Sequence, residues 1–261
     1  MSEEGQNPAT LWIIVSYKNA HLTRININNL LSQTVPVNIA VWDNNSPDGS
    51  GAKLGRWFHG EDRVKIFKSP ENILWTPALN RAVEKFWDGE RYVGFANNDV
   101  VLPKHATKEL IKTASKRNVG MVGPTGSGLG GPQDFVSHHG PYADADKTNL
   151  GPKRTTYLVG ACIFMRKEVY DLVGPFDEDM PLGADDHDYS IRIKQKGLEI
   201  WVDESVYIAH SSHATGSSPE WGVHGTKSWE AFAKKWSGYY SSEEEAKKSH
   251  WGGIYHEGYD K

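Results

Sequence analysis

The sequence predicts an α/β fold: a Rossmann-like, mostly parallel central sheet flanked by helices over residues 1–210, then a C-terminal extension over 211–261. Two observations carry this expectation. Runs of strand length alternate with stretches of helical periodicity through the first half of the chain. The leading run is apolar at every position rather than at every second one, as in strands covered on both faces.

The elements follow in order. "LWIIVSY" (11–17) reads as a strand, and "LTRININNLLSQ" (22–33) repeats apolar residues at helical spacing. "VNIAVWD" (37–43) is a second strand ending on an acid, and "RVKIFK" (63–68) a short third. In "TPALNRAVEKFW" (76–87), Thr76 is the expected N-cap and Pro77 opens the first turn, with Leu79, Ala82, Val83 and Phe86 on one face. "RYVGFANND" (91–99) is a fourth strand, and "PKHATKELIKTASKR" (103–117) a helix opened by Pro103. Residues 123–153 lose all periodicity, which predicts a functional loop or lid. Order returns with "TTYLVGACIFM" (155–165) as a strand and "RKEVYDLVG" (166–174) as a helix stopped by Gly174 and Pro175. A helix over 186–196 precedes two short strands, "EIWVD" (199–203) and "SVYIAH" (205–210); "TKSWEAFAKKW" (226–236) closes the helical signals.

Composition excludes several function classes. The chain has 261 residues, with 29 basic and 33 acidic, and no Lys/Arg run that would suit a polyanion. Its single cysteine, Cys162, rules out an internal disulfide framework and a Cys-rich zinc site, and its apolar surroundings predict a buried structural thiol. The amino-terminal segment carries no signal-peptide pattern, and no apolar run reaches the roughly 20 residues of a membrane span. A cytoplasmic protein without stable membrane insertion is therefore expected. "GSGLGG" (126–131) satisfies a dinucleotide-binding spacing, but no helix opens after it, so a flexible loop is the better account.

In an open parallel sheet, ligands bind beyond the carboxyl ends of the strands. Three strand tips turn polar there: Ser16 and Tyr17, Asp43 with Asn44, Asn45 and Ser46, and Asn97, Asn98 and Asp99. A cation bound to a diphosphate needs only one or two protein carboxylates, and Asp99 can supply one. "LGADDHDYSIRIKQKG" (182–197) sets Asp185, Asp186 and Asp188 within four positions at a helix start, where the helix dipole favours acids by about 0.3–1 kcal/mol each. That favours one or two acids and leaves the third needing another reason. Asp188 and Arg192 stand at i, i+4 spacing.

Taken together, "DNNSPDGS", "NND", "GPFDED", "GADDHDYSIRIKQKG" and the closing His210 resemble family 2 glycosyltransferases of the GT-A fold, particularly their rhamnosyltransferase-like branch, over about residues 11–210. The resemblance implies inverting, metal-dependent transfer of a sugar from a UDP-, dTDP- or GDP-linked donor, with Mn2+ or Mg2+. By the same resemblance, Ser16, Tyr17, Asp43, Asn45, Asn72, Asn80, Asn97 and Asn98 border the nucleotide. Asp99 and His210 hold the metal, with His213 in reserve. Asp186 is the base, flanked by Asp185 and Asp188; His187, in a usually apolar slot, is its rival. Leu74 replaces the family's glycine after Asn72, and Trp75 and Pro77 also depart from its small residues. The acceptor is a glycan, a lipid-linked sugar, a protein or a modified nucleic acid, the lack of an anchor weighing against the lipid-linked class. Trp221 and the 123–153 loop are candidate acceptor contacts, whereas His138, His139 and His224 suit surface or acceptor-side roles. The alternatives are a nucleotidyltransferase, whose glycine- and basic-rich first loop "SYKNAHLTR" lacks, and a non-catalytic nucleotide- or glycan-binding module, against which Asp186 argues.

Overall fold

β1 (Thr10–Ser16), the first apolar run, lies mid-sheet and is buried at every position. A computed structural model describes residues 9–127, 129, 131–135, 150–211 and 219–239 of the chain. On one side of β1 lie β2 (Asn38–Asp43) and β3 (Val64–Lys68), and on the other β4 (Tyr92–Asn97), all parallel. β8 (Cys162–Arg166) then runs antiparallel to both β4 and β6 (Val119–Ser127). β6 pairs in parallel with β9 (Glu199–His210), whose other neighbours are β5 (Val100–Val101) and β7 (Pro152–Thr155), both antiparallel. The sheet is thus mixed, with its parallel half first in the sequence.

Seven helices are described: α1 (Ala20–Leu31), α2 (Ser50–Trp57), α3 (Trp75–Phe86), α4 (Ala106–Ala114), α5 (Lys167–Val173), α6 (Asp185–Gln195) and α7 (Pro219–Lys235). Alternation along β1 sorts them into layers. Trp12 and Ile14 face Ala20, Ile27, Leu30, Leu54 and Leu110 of α1, α2 and α4. Leu11, Ile13 and Val15 face Leu79, Val83, Tyr170, Tyr189 and Ile193 of α3, α5 and α6. A third, smaller core joins Phe232, Ala233 and Trp236, at the end of α7, to Met180, Ala184 and Ile191. Full burial of a residue such as Phe232 is worth roughly 1.5–3 kcal/mol, which secures α7 to α6.

Several local expectations give way to tertiary contacts. Thr76 does not cap α3; the helix begins at Trp75, and Thr76 Oγ1 donates to Met180 O at 2.8 Å. Pro181 O accepts the Trp75 and Thr76 N–H groups at 3.1 Å and does the capping instead. The two strands read at 199–210 are one strand, its ladder with β6 shifting register between Asp203 and Tyr207. The strand read over 155–165 splits, only 152–155 and 162–166 being strand, because Val159 N–H goes to Gln133 Oε1 instead of a ladder partner. The start of the 123–153 loop is the end of β6, and Gln133, fully buried, bonds Pro124 O at 2.9 Å. This pins the described part of that loop to the core; 136–149 lies outside the described residues. Cys162 is buried as expected, and burial pushes its thiol far up.

Leu74 precedes α3 at φ 67° and ψ −174°, a region that glycine alone adopts readily. Such a conformation costs about 1–3 kcal/mol, so Leu74→Gly should raise the melting temperature by about 2–4 °C for each kcal/mol released. A thermal melt checks this; an unchanged or lower midpoint would show that the Leu74 side chain compensates its backbone.

Candidate active site

The three polar strand tips converge because their own side chains tie them together. The β2 tip holds the start of α1: Ser46 Oγ accepts Lys18 N–H at 2.8 Å, Asp48 Oδ2 accepts Asn19 N–H at 3.1 Å, and Ser50 Oγ accepts Ala20 N–H at 3.0 Å. Lys18 and Asn19 turn through positive φ to make this fit. Asn26 and Asn29 of α1 reach the β4 tip, donating to Asn97 O at 2.7 Å and accepting Leu102 N–H at 2.7 Å. Ser16 is fully buried, its hydroxyl bonded to Thr23 Oγ1 at 3.0 Å, so it secures α1 by its side chain. Tyr17 is half-buried beneath the Lys18 ammonium.

Asp43 ends β2 fully buried, accepting the Ser46 hydroxyl and, at 3.4 Å, the Ser46 N–H. Burial pushes its carboxyl above the usual range, and the Ser46 hydrogen bonds offset only part of that rise. A Cβ on Gly51 would sit 2.3 Å from Asp43 Oδ2, so only glycine lets α2 begin against this carboxylate. Asn45 is exposed at φ 57° beside it. Asn44 Nδ2 donates to Asn72 Oδ1 at 2.7 Å and to Leu74 O at 3.0 Å, and its Oδ1 accepts Ile73 N–H at 3.0 Å. Asn72 and the strained Leu74 are thereby fixed to the β2 tip. Asn80, expected at the nucleotide, is buried; its carboxamide closes on Phe176, donating to O at 2.8 Å and accepting N–H at 3.0 Å. It positions the loop that leads to the acids.

Asp99 and His210, far apart in the sequence, meet because β5 pairs Val100 with His210. Asp99 Oδ1 lies 3.3 Å from His210 Nε2, and Asn97 Nδ2 lies 3.3 Å from the same nitrogen. Asn98, 5 % exposed, turns inward, its Nδ2 3.3 Å from Thr23 Oγ1. Two ligands at adjacent corners of a divalent-cation shell lie about 3 Å apart. One carboxylate and one imidazole at this spacing therefore fit such an ion. No group of three or more His, Cys, Asp or Glu forms a metal cluster among the described residues. His138, His139 and His213 fall outside the described residues, as does the side chain of Trp221; His224 lies on α7.

The acids at the start of α6 are compensated in three different ways. Asp188 is fully buried and accepts Arg192 Nε at 2.8 Å, Lys235 Nζ at 2.7 Å and the Trp236 indole at 3.0 Å. It is thus a scaffold residue that latches the end of α7 to α6. Asp185 is buried, and burial above all, then repulsion from Asp186, lifts its carboxyl well above the usual range; the Gly183 N–H and Trp75 indole offset part of this. Asp186 keeps 16 % of its side-chain surface exposed. Burial raises its carboxyl too, but His187 beside it and the N–H groups of Gly160 and His187 outweigh that and hold it below the usual range. Of the pair, Asp185 therefore holds a proton the more tightly and Asp186 ionises first.

One short segment joins the Asp99–His210 pair to Asp186. Ala161 O accepts Asn97 N–H at 2.9 Å, and Gly160 N–H donates to Asp186 Oδ2 at 3.0 Å. Asn97 in turn touches His210, so Asp99, His210 and Asp186 are linked through the two residues Gly160 and Ala161. The roles of Gly160, Trp75 and Gly51 carry no recognisable signal in the sequence. The scaffold role of Lys235 was hidden for the same reason.

The sequence model described as "Glycosyl transferase family 2" matches residues 11–174, ending before the acids of α6. The chain is 24% identical over 242 residues to an N-acetylglucosaminyl-diphospho-decaprenol L-rhamnosyltransferase of Mycobacterium tuberculosis, covering 79% of this chain and 78% of that protein. It is 25% identical over 224 residues to the O-antigen biosynthesis protein RfbC of Myxococcus xanthus, covering 78% of this chain but only 17% of that one. Among solved structures, a mannosyltransferase from Pyrobaculum calidifontis in complex with GDP-Man and Mn2+ superposes with a TM-score of 0.64 at 21% identity, over 81% of this chain and 59% of that one. The shared architecture is the GT-A fold.

The raised Asp185 carboxyl makes stability depend on pH. Because the folded chain binds this proton more tightly than the unfolded one, Asp185 weakens folding increasingly as pH rises above the unfolded value of about 3.9. Asp185→Asn should melt higher than the parent at pH 7–8 by about 2–4 °C for each kcal/mol gained, with the gap closing near pH 4. Melting curves at both pH values check the sign.

Proposed function

The chain belongs to glycosyl transferase family 2, and on that premise we propose that it transfers a sugar, with inversion, from a nucleotide-diphosphate donor to an acceptor hydroxyl. The observation that carries this reading is the 160–161 segment, which sets Asp186 beside the Asn97, Asp99 and His210 cluster. Asp43, Asn45 and Asn72 lie at the tips where a UDP, dTDP or GDP moiety would bind, with Tyr17 at their edge. Mn2+ or Mg2+ held by Asp99 and His210 would supply positive charge against the departing diphosphate. Asp186, partly exposed and ionised, takes the proton of the acceptor hydroxyl as its oxygen attacks the anomeric carbon. Asp185, neutral at the same helix start, spares Asp186 and the phosphates a second adjacent negative charge.

The M. tuberculosis relative is named for an acceptor linked through diphosphate to decaprenol. A polyprenyl-diphosphate-linked sugar is therefore the first acceptor to try, ahead of free glycans, proteins and modified nucleic acid. No described helix is long and apolar enough to cross a membrane.

Binding and hydrolysis of UDP-, dTDP- and GDP-sugars, each with Mn2+, Mg2+ or chelator, test the reading directly. At least one donor should bind with a metal and release its sugar; no binding with either ion refutes it. Asp99→Ala and His210→Ala should each weaken metal-dependent donor binding by about tenfold or more, measured by calorimetry. Asp186→Asn should leave donor affinity unchanged while lowering turnover by about 10²–10⁴-fold, and retained turnover would remove Asp186 as the base.

A further inference from the structure

His187 stands between Asp186 and an aromatic cluster. Its Nδ1 lies 2.9 Å from Asp186 Oδ1, and its backbone N–H donates to the same oxygen at 2.8 Å. Asp186 Oδ2 accepts only the Gly160 N–H, at 3.0 Å, among the described residues. One carboxylate oxygen is therefore doubly bonded to His187, while the other accepts a single backbone N–H. The imidazole itself is 8 % exposed and held in place. The Tyr157 ring lies 4.2 Å away at 32°, and Trp229 and Phe232 of α7 approach nearly edge-on at 5.2 and 6.2 Å.

We propose that His187 is the positioning residue of the base: by holding Oδ1 at two points it fixes the Asp186 carboxylate with Oδ2 toward the acceptor hydroxyl. The proposal rests on Asp186 being the base. In the transfer, the bond from the acceptor oxygen to the anomeric carbon forms as the bond from that carbon to the diphosphate oxygen breaks. The hydroxyl proton passes to Asp186 Oδ2, and His187 keeps its own proton throughout. Among the described residues, the titratable groups facing the pair are Asp185 on the same helix and Tyr157 on the 157–160 segment; Trp229 and Phe232 from α7 carry no charge. Asp188 lies on the opposite side of α6, paired with Arg192 and Lys235. Burial raises the Asp185 carboxyl, whereas the His187 hydrogen bonds and the Gly160 N–H lower that of Asp186.

Two measurements on the intact chain test this. A carboxyl-carbon NMR titration of Asp186 needs no substrate, and the pH profile of hydrolysis uses whichever nucleotide sugar the donor screen selects. His187→Phe keeps the ring but removes the donor. It should raise the Asp186 midpoint and move the acidic limb of kcat upward by about one pH unit. Its kcat should fall by about ten- to a hundredfold, with the donor KM unchanged. His187→Asn keeps an N–H near the place of Nδ1, so kcat and the acidic limb should both return most of the way to those of the parent. A melting curve for each variant shows that it is folded. A His187→Phe chain with the parent Asp186 midpoint and the parent pH profile overturns the proposal. Full hydrolysis by Asp186→Asn overturns the base assignment instead, and does so whatever the His187 titration shows.

Discussion

Three carboxylates within four positions must be taken out of water at the start of one helix, and the rest of the site is organised around that constraint. Like charges at such spacing cannot all stay ionised in a poorly solvated place. Asp185 gives up its charge, Asp186 keeps it against His187, and Asp188 shares it with two cations and an indole. Each solution recruits a different part of the chain: Trp75 from α3, Gly160 from the segment before β8, and Lys235 with Trp236 from the end of α7. Acids that merely decorated a helix dipole would need none of these partners.

The strand tips obey a related rule. Backbone groups at the ends of elements must find partners, and here neighbouring loops supply them through short polar side chains. Ser46, Asp48 and Ser50 satisfy the N–H groups at the start of α1, and Pro181 O satisfies those of α3. The cost of this mutual capping is a set of residues in left-handed or extended-positive backbone: Lys18, Asn19, Asn45, Leu74 and Ala184. All five lie at strand tips or helix starts that border the candidate site, where strained backbone is held by what surrounds it.

Much of this was legible in the sequence, and the remainder follows a pattern. Apolar runs and helical periods located nearly every element of the parallel half, because those signals are local. Asp43, Asp99 and Asp186 stood out because they sit where an element begins or ends. What stayed hidden depends on contacts between distant segments. The two-residue β5 strand that brings Asp99 to His210 is too short to leave a periodic trace. Thr76 carried every local mark of an N-cap, yet the carbonyls of residues 180 and 181 took both its hydroxyl and its N–H. Motif position assigned Asn80 to the nucleotide and Asp188 to the helix start beside Asp186 and Arg192, but it does not say which distant segment a side chain holds. Asn80 turned out to hold Phe176, and Asp188 to hold Lys235.

The Asp188 latch also bears on how pieces of this architecture can be exchanged. The span matched by the family ends at residue 174, while Asp188 lies beyond it and its partners Lys235 and Trp236 at the far end of α7. Without Lys235 and Trp236, Asp188 keeps only Arg192, and losing hydrogen bonds to a buried carboxylate costs about 1.5–3 kcal/mol each. A chimera joined anywhere between α6 and the end of α7 would inherit that deficit unless both halves of the latch came from one parent. The unit that recombination can move is therefore the acidic helix together with its distant lysine, so any acceptor preference housed in α7 would travel with the base.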